Sequence, residues 1–87
     1  MMTADAIRDL ILQALPQAQV DVQDPNQDGQ HFAAIVVAPE FEGLTTVKQH
    51  RLVNDALKEP LQSGAVHALQ LRTFSPSQWQ QNQVTFS

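Results

Sequence analysis

The longest uninterrupted apolar run of the chain, FAAIVVA at residues 32–38, constrains the fold more than any other feature. Its length suits a β-strand and is far below the roughly 20 residues that a membrane-spanning helix needs. Because the run is apolar on both faces, we expect it to lie inside a sheet, covered by helices on one side. Val20 and Val22 alternate with polar residues, and the turn formers DPNQDGQ follow at 24–30. Together these segments predict a two-stranded hairpin.

The amino-terminal segment has the pattern of an amphipathic helix over residues 3–15. Its apolar positions recur at spacings of three and four residues, and they are Ile7, Leu10, Ile11, Ala14 and Leu15. Thr3 is suited to cap the first free N–H groups, and Asp5 favours the positive end of the helix. Pro16 prevents its continuation. We therefore expect a helix whose two ends are marked in the sequence.

The segment APEFEGL at 38–44 is predicted to be a loop, because it contains proline and glycine after the apolar run. We expect Gly43 to supply a special backbone shape and Phe41 to anchor the loop to the core. Glu40 and Glu42 alternate along this loop. That spacing indicates exposure to solvent rather than a paired acid and base.

A second helix is predicted to start at Thr45 or Thr46, either of which is a suitable cap, and to run to about Lys58. Pro60 breaks the pattern, so only a short helical piece follows before the turn at Gly64. The buried side of the longer helix is predicted to consist of Leu52, Val53, Ala56 and Leu57.

A third strand is predicted from about Val66 to Phe74, with His67 at its entrance. Alternation along the strand predicts one face with His67, Leu69, Leu71 and Thr73, and an opposite face with Val66, Ala68, Gln70 and Arg72. Ser75 and Pro76 then have the form of a helix cap and a first-turn proline. They predict a last short helix, in which Trp79 is interpreted as a hydrophobic anchor.

The predicted order is helix, strand, strand, helix, short helix, strand, helix, which defines an α/β (α+β) fold. A hairpin joined to a third strand through a long helical crossover gives a mixed three-stranded sheet, with the helices on one face. The length of 87 residues suits a single small domain, residues 1–87, with a core over about 3–80 and a polar tail at 81–87.

The composition excludes several kinds of chemistry. The chain contains no cysteine, which rules out disulfides, a thiol nucleophile and any metal centre held by its own thiolates. It also lacks a phosphate loop, a metalloprotease histidine pair and a credible Ser-His-Asp set, so we expect no enzymatic activity. The amino terminus does not resemble a signal peptide, and we expect a cytoplasmic protein that does not bind membranes. The net charge of −4 opposes an approach to nucleic acid as a whole.

Three patches together resemble the BolA-like family. They are FEGLTTVKQHRLVNDAL at 41–57, GAVHALQLRTFSP at 64–76, and Trp79 just beyond. With the compatible segment DGQHF at 28–32, the resemblance extends over nearly the whole chain, from about residue 5 to residue 80. It implies a fold similar to a type II KH domain.

The same resemblance implies a partner and a shared cofactor. Members of the family pair with monothiol glutaredoxins, in an apo complex or around a bridging 2Fe-2S cluster. His67 matches the histidine that the family retains in the VHAL segment, and His31 lies in the variable loop that supplies histidine or cysteine. Both are therefore expected to be metal ligands, while the glutaredoxin supplies its cysteine and a bound glutathione. Alone, the chain is expected to bind no cofactor and to be a monomer or weak homodimer.

Simpler roles compete with these assignments. A histidine at a strand entrance often bonds a backbone carbonyl, and a polar residue between a loop and a strand is ordinary, so His67 and His31 both have structural alternatives. If His31 points into the sheet, Asp28 or a glutathione group is the alternative that completes the site.

The alternative function is a DNA-binding transcriptional regulator that uses the helix around Lys48, His50 and Arg51. The family commonly has Arg-His-Arg here, whereas this chain has glutamine at the first position. Asp55 lies four residues after Arg51 and is predicted to neutralise it through an ion pair. No GXXG loop of the kind that clamps nucleic-acid phosphates is present. We favour a solvated helix face, with His50 packing against the sheet or bonding to the FEG loop. As partner contacts instead of DNA contacts, these residues offer Arg51 to a partner's acidic surface or to a glutathione carboxylate.

Overall fold

The computed structural model describes the backbone of residues 2–84 and the side chains of residues 2–81. The elements are α1 (Ala4–Ala14), β1 (Gln19–Gln23), β2 (His31–Val37), a 3₁₀ turn (Pro39–Phe41), α2 (Thr46–Ala56), α3 (Lys58–Ser63), β3 (Ala68–Phe74) and α4 (Pro76–Val84). This order confirms the predicted α+β fold. Across residues 2–84, no helix has the length and apolar character needed to cross a bilayer.

The sheet has the order β1-β2-β3, so the apolar run forms its central strand, as predicted. β1 and β2 are antiparallel, as in a hairpin, and β2 and β3 are parallel. The sheet is therefore mixed, because the long connection through α2 and α3 returns the chain in the direction of β2. In the parallel pair, His31 at the start of β2 lies opposite Ala68 at the start of β3.

The core lies between one face of the sheet and the helices α1 and α2. Burial alternates along β2, where Phe32, Ala34 and Val36 are buried and the residues between them are half-buried. The residues that complete the core come mainly from the helices and the loop after β2, and include Ile7, Ile11, Phe41, Val53 and Leu57. Phe41 is fully buried, which confirms that it anchors the loop.

The helix ends follow local signals. Thr3 Oγ accepts a hydrogen bond from the Ala6 N–H at 3.1 Å, and Thr45 Oγ accepts one from the Lys48 N–H at 3.3 Å. Both residues are N-caps, as predicted. The last helix is likewise capped by Ser75, whose Oγ accepts from the Gln78 N–H at 3.2 Å. It runs to Val84, so residues 81–84 continue the helix, while 85–87 of the predicted tail lie outside the described residues.

The predicted buried side of α2 is wrong in one position. Leu52 is 38% exposed, whereas Gln49 is fully buried. The stripe that faces the core consists of Gln49, Val53 and Leu57, which are spaced four residues apart. Leu52 lies about 100° around the helix axis from Val53 and therefore falls at the border of the stripe.

The start of the third strand also differs from the prediction. β3 begins at Ala68, and Val66 is a core residue, although alternation predicted it on the face opposite Leu69. The Val66 N–H donates to the Pro60 carbonyl at 3.0 Å, so the chain still bends here and strand alternation does not apply. His67 is exposed and precedes the strand, so it does not share the face of Leu69 as predicted.

Candidate functional site

The two predicted metal ligands meet at one end of the sheet. His31 is the first residue of β2, and His67 immediately precedes β3. Because β2 and β3 are parallel, both histidines lie at the same end of the sheet. Their ring centroids are 5.4 Å apart, and the ring planes are inclined to each other by 62°. Residues far apart in the sequence thus form one adjacent imidazole pair.

The backbone next to these rings is held by a single carbonyl. The oxygen of Gln30 accepts hydrogen bonds from the N–H of His67 at 2.8 Å and from the N–H of Ala68 at 3.1 Å. Since Gln30 directly precedes His31, this carbonyl joins the two histidine backbones. The separation of the two histidine backbones is therefore constrained by hydrogen bonding as well as by strand register.

Asp28 is the closest polar neighbour of His31. Its Oδ1 accepts from the Gln30 N–H at 2.9 Å and from the His31 N–H at 3.1 Å, and its Oδ2 lies 2.8 Å from His31 Nδ1. The His31 side chain is 42% exposed, so it does not point into the core. Asp28 or a glutathione group was the alternative ligand only for a His31 ring that points into the sheet, and the observed ring does not. Sequence reasoning missed Asp28 as a partner of His31, although an aspartate before a strand is a common turn former.

A second aspartate holds the turn that carries Asp28. The carboxylate of Asp24 accepts from the Gly29 N–H at 2.9 Å and from the Asp28 N–H at 3.3 Å. Gln27 and Gly29 both have positive φ, at 53° and 66°. The predicted turn 24–30 is therefore closed by side-chain oxygens that satisfy its backbone donors.

Hydrogen bonding stabilises the ionised form of Asp28. The Gln30 N–H is the largest influence on its pKa, and the hydrogen bond with the His31 side chain is the next. Together they lower the pKa of Asp28 from 3.8 to about 2. An ionised carboxylate accepts hydrogen bonds and cannot donate them, so it faces the ring and backbone of His31 as an acceptor at neutral pH.

Each imidazole of the pair can supply one nitrogen ligand to a metal. Neutral imidazole nitrogen is a good ligand for iron. His31 Nδ1 is engaged by Asp28, which leaves Nε2 for a metal, and no hydrogen-bond partner of the His67 ring is found within residues 2–81. In that same part of the chain, no group of three or more His, Cys, Asp or Glu side chains could hold a metal ion. Two nitrogen ligands fit one part of a coordination shell.

The candidate DNA-contact residues do not share one surface. Lys48 and Arg51 are exposed and lie about 60° apart around α2, whereas His50 is half-buried on the other side. Asp55 lies between the two cations around the helix axis. Among residues 2–81, the only ion pairs are Arg8 with Asp5 and His31 with Asp28, so the predicted pair of Arg51 with Asp55 is wrong. No hydrogen bond of the His50 side chain to the FEG loop is found there either.

Gln49 has a structural role that sequence reasoning missed. Its Nε2 donates to the Leu44 carbonyl at 3.0 Å and to Gln78 Oε1 at 3.3 Å. It thereby joins the loop before α2 to α4. Because Gln49 is buried, this position adds nothing to the exposed surface of α2 in this chain. The i, i+4 spacing with Val53 and Leu57 is the sequence signal that could have identified it.

The opposite face of the sheet is partly open. Asp21, Ile35 and Arg72 lie side by side across the three strands and line a shallow cavity of about 140 Å³. At the far end of this face, Trp79 of α4 packs on Phe74 with ring centroids 5.3 Å apart, as expected of an anchor. The guanidinium of Arg72 lies 5.6 Å from the same phenylalanine ring.

Comparisons with known proteins give one consistent result. The sequence profile described as "BolA-like protein" matches residues 11–78. A BolA-like protein of Dictyostelium discoideum is 39% identical over 61 residues, which are 70% of this chain and 54% of that protein. BolA-like protein 2 of Mus musculus is 36% identical over 80 residues, which are 90% of this chain and 91% of that protein. This chain thus spans about half the length of the first relative and nearly all of the second.

Solved structures of similar fold agree with these matches. A bolA protein homologue from Coxiella burnetii has a TM-score of 0.77 and 38% identity, covering 92% of this chain and 99% of that one. The BolA domain of SufE1 from Arabidopsis thaliana has a TM-score of 0.75 and 30% identity, covering 85% and 92%. Yeast Fra2 has a TM-score of 0.72 and 32% identity, covering 90% and 84%.

Proposed function

Because this chain belongs to the family of BolA-like proteins, we propose that it is a non-enzymatic adaptor that binds a monothiol glutaredoxin. In this proposal it shares a bridging 2Fe-2S cluster with that partner, in iron-sulfur cluster trafficking or in iron and redox signalling. The observation that carries the proposal is the pair of rings of His31 and His67, whose centroids lie 5.4 Å apart at one end of the sheet.

The two histidines have different freedom in this role. The His31 ring is oriented by Asp28, so its Nε2 faces away from that contact. The His67 backbone is held by the Gln30 carbonyl, and among residues 2–81 its ring contacts the His31 ring but has no hydrogen-bond partner, so it would be free to turn toward a metal. The cluster, when bound, supplies electron-transfer and cluster-transfer chemistry. This chain contributes nitrogen ligands, which are less negative than thiolates and raise the potential of a cluster.

A partner is required because the chain has no thiolate of its own. The glutaredoxin cysteine and a bound glutathione are the natural complement to two imidazoles. A related domain occurs within a larger protein, as the BolA domain of SufE1. That occurrence supports the view of this fold as a binding module.

Anaerobic mixing with a cluster-loaded monothiol glutaredoxin tests the proposal, followed by size exclusion and visible circular dichroism. We expect a one-to-one complex whose spectrum changes in His67→Ala and in His31→Ala. His50→Ala is the matched control, because His50 lies on α2 away from the pair, and its spectrum should equal the wild type. A His67→Ala complex with an unchanged spectrum would refute the ligand assignment. A lack of association with both apo and holo glutaredoxin would refute the adaptor role.

DNA binding through Lys48, His50 and Arg51 is the competing function, with weaker support from the geometry. Two exposed cations on α2 provide about two phosphate contacts, so log affinity would fall with log salt at a slope of roughly −1.8. A filter-binding or anisotropy titration at low salt measures this slope. Specific binding that is lost in Lys48→Ala with Arg51→Ala would favour the regulator over the adaptor.

A further inference from the structure

We propose that Asp28 is a positioning residue that fixes the tautomer of His31, so that Nε2 is the nitrogen this ring offers to a metal. The inference rests on the proposed function of the histidine pair and adds a residue that acts through one of its ligands. Histidine ligands in metal sites commonly donate their second ring N–H to a carboxylate, which sets the ring orientation.

The contact between the two side chains determines the tautomer. Asp28 Oδ2 lies 2.8 Å from His31 Nδ1. An ionised carboxylate only accepts hydrogen bonds, so Nδ1 must carry the proton. A neutral imidazole has one ring proton, which leaves the lone pair on Nε2. The nitrogen that faces away from Asp28 is thus the one prepared for coordination.

The same carboxylate also holds the backbone of the site. Its Oδ1 accepts from the N–H groups of Gln30 and His31, at 2.9 and 3.1 Å. The Gln30 carbonyl in turn accepts from the N–H of His67. Asp28 therefore orients one ligand ring directly and orders the backbone segment that connects to the other ligand.

The two histidine rings therefore differ in how far they are oriented before a metal binds. Within residues 2–81, the His67 ring has no hydrogen-bond partner that selects one nitrogen. The His31 side chain is 42% exposed and the Asp28 side chain 36%, so a large partner can approach both. We assign His31 as the preorganised ligand and His67 as the adaptable one.

The variant Asp28→Asn isolates this role. Its amide oxygen still accepts from the backbone N–H groups of Gln30 and His31, so the turn is retained. Its NH₂ group replaces Oδ2 and can only donate to Nδ1, which favours the opposite tautomer of His31. Asp28→Ala removes both interactions and is the second variant, in case the amide of asparagine turns away.

Long-range ¹H–¹⁵N spectra of histidine-labelled apo protein, recorded at alkaline pH where imidazole is neutral, measure the tautomers directly. We expect wild-type His31 to be protonated at Nδ1, and Asp28→Asn to shift it to Nε2–H. Asp28→Ala should give a mixture, and the tautomers of His50 and His67 should stay unchanged in both. Wild-type His31 protonated at Nε2, or a His31 tautomer that neither variant alters, would overturn the proposal.

Titration with cluster-loaded glutaredoxin distinguishes the proposed role of Asp28 from the adaptor function on which it rests. Loss of an outer-shell partner commonly costs a metal site 10–100-fold in affinity, so we expect roughly that loss for the Asp28→Asn complex. If Asp28→Asn switches the tautomer of His31 but the wild-type protein forms no complex with glutaredoxin, the adaptor function is refuted and the effect of Asp28 on the tautomer stands. A His67-dependent wild-type complex that Asp28→Asn forms with equal affinity would refute the role of Asp28 alone.

Discussion

Replacing Gln49 separates the hydrogen bonds of a buried amide from its packing. The side chain is fully buried in α2, and its Nε2 donates to Leu44 and to Gln78. Its Oε1 is buried without a hydrogen-bond partner among residues 2–81. The matched variants are Gln49→Ala, which removes bonds and volume, and Gln49→Leu, which removes the bonds and keeps most of the volume.

The expected magnitudes follow from these contacts. Nε2 also donates a long hydrogen bond to the Phe41 carbonyl at 3.5 Å. Together the hydrogen bonds of Nε2 contribute about 1.5 kcal/mol, and removal of the unpartnered Oε1 returns about 1 kcal/mol. Both variants therefore lose about 0.5 kcal/mol from polar interactions. Alanine also loses a buried methylene and leaves a cavity, which costs about 2 kcal/mol more. We expect destabilisation of about 2.5 kcal/mol for Gln49→Ala and about 0.5 kcal/mol for Gln49→Leu.

Urea unfolding followed by the fluorescence of Trp79, the single tryptophan, measures both values. With a slope of about 1 kcal/mol per molar urea, the midpoints should fall by about 2.5 M and 0.5 M. The histidine pair is remote from this contact, so folded protein of either variant should retain the spectrum of the glutaredoxin complex. Equal destabilisation by the two variants would show that hydrogen bonding, not packing, dominates at Gln49 and would refute the reasoning.

Three further changes test other contacts. Thr73 Oγ is buried without a partner among residues 2–81, so Thr73→Val should raise the free energy of unfolding by about 1 kcal/mol, and a lower urea midpoint would contradict this. Gly64 has φ of +81° and open space around it, so Gly64→Ala should cost about 1 kcal/mol from backbone strain alone; an unchanged midpoint would count against it. The pKa of Asp28 is about 2 against 3.8, so its contribution to stability is present above about pH 4 and is lost as the pH falls through 2. A ¹³C carboxyl titration checks this, and a value near 3.8 would be inconsistent with the hydrogen bonds to Gln30 and His31.

Part of the site was predictable from the sequence and part was not. His31 and His67 were identified through the resemblance to BolA-like proteins, and the structure places them together. Their roles as ligands stay predictions. The contact of Asp28 with His31 depends on the path of the turn, which composition alone does not specify. The ion pair of Arg51 with Asp55 was wrong, because an i, i+4 spacing permits contact between exposed side chains without requiring it.

The sequence by itself determined the type and order of the elements. The caps at Thr3 and Thr45, the stop at Pro16 and the apolar run at 32–38 act over a few neighbouring residues, so they can be recognised without a fold. Tertiary structure alone decided the rotation of α2 that buries Gln49 instead of Leu52. A periodic pattern defines an apolar stripe only to within about one residue on either side, and packing selects its centre.

The histidine pair shows the same division most clearly. The chain specifies a histidine at the start of each of two strands, His31 as the first residue of β2 and His67 just before β3, but no local pattern shows that the two strands are neighbours. Parallel pairing of β2 with β3 sets His31 opposite Ala68, and the Gln30 carbonyl then bonds the backbone of His67. Pairing between distant segments depends on how the helices and sheet pack as a whole, and for that physical reason only the folded chain brings the two rings together.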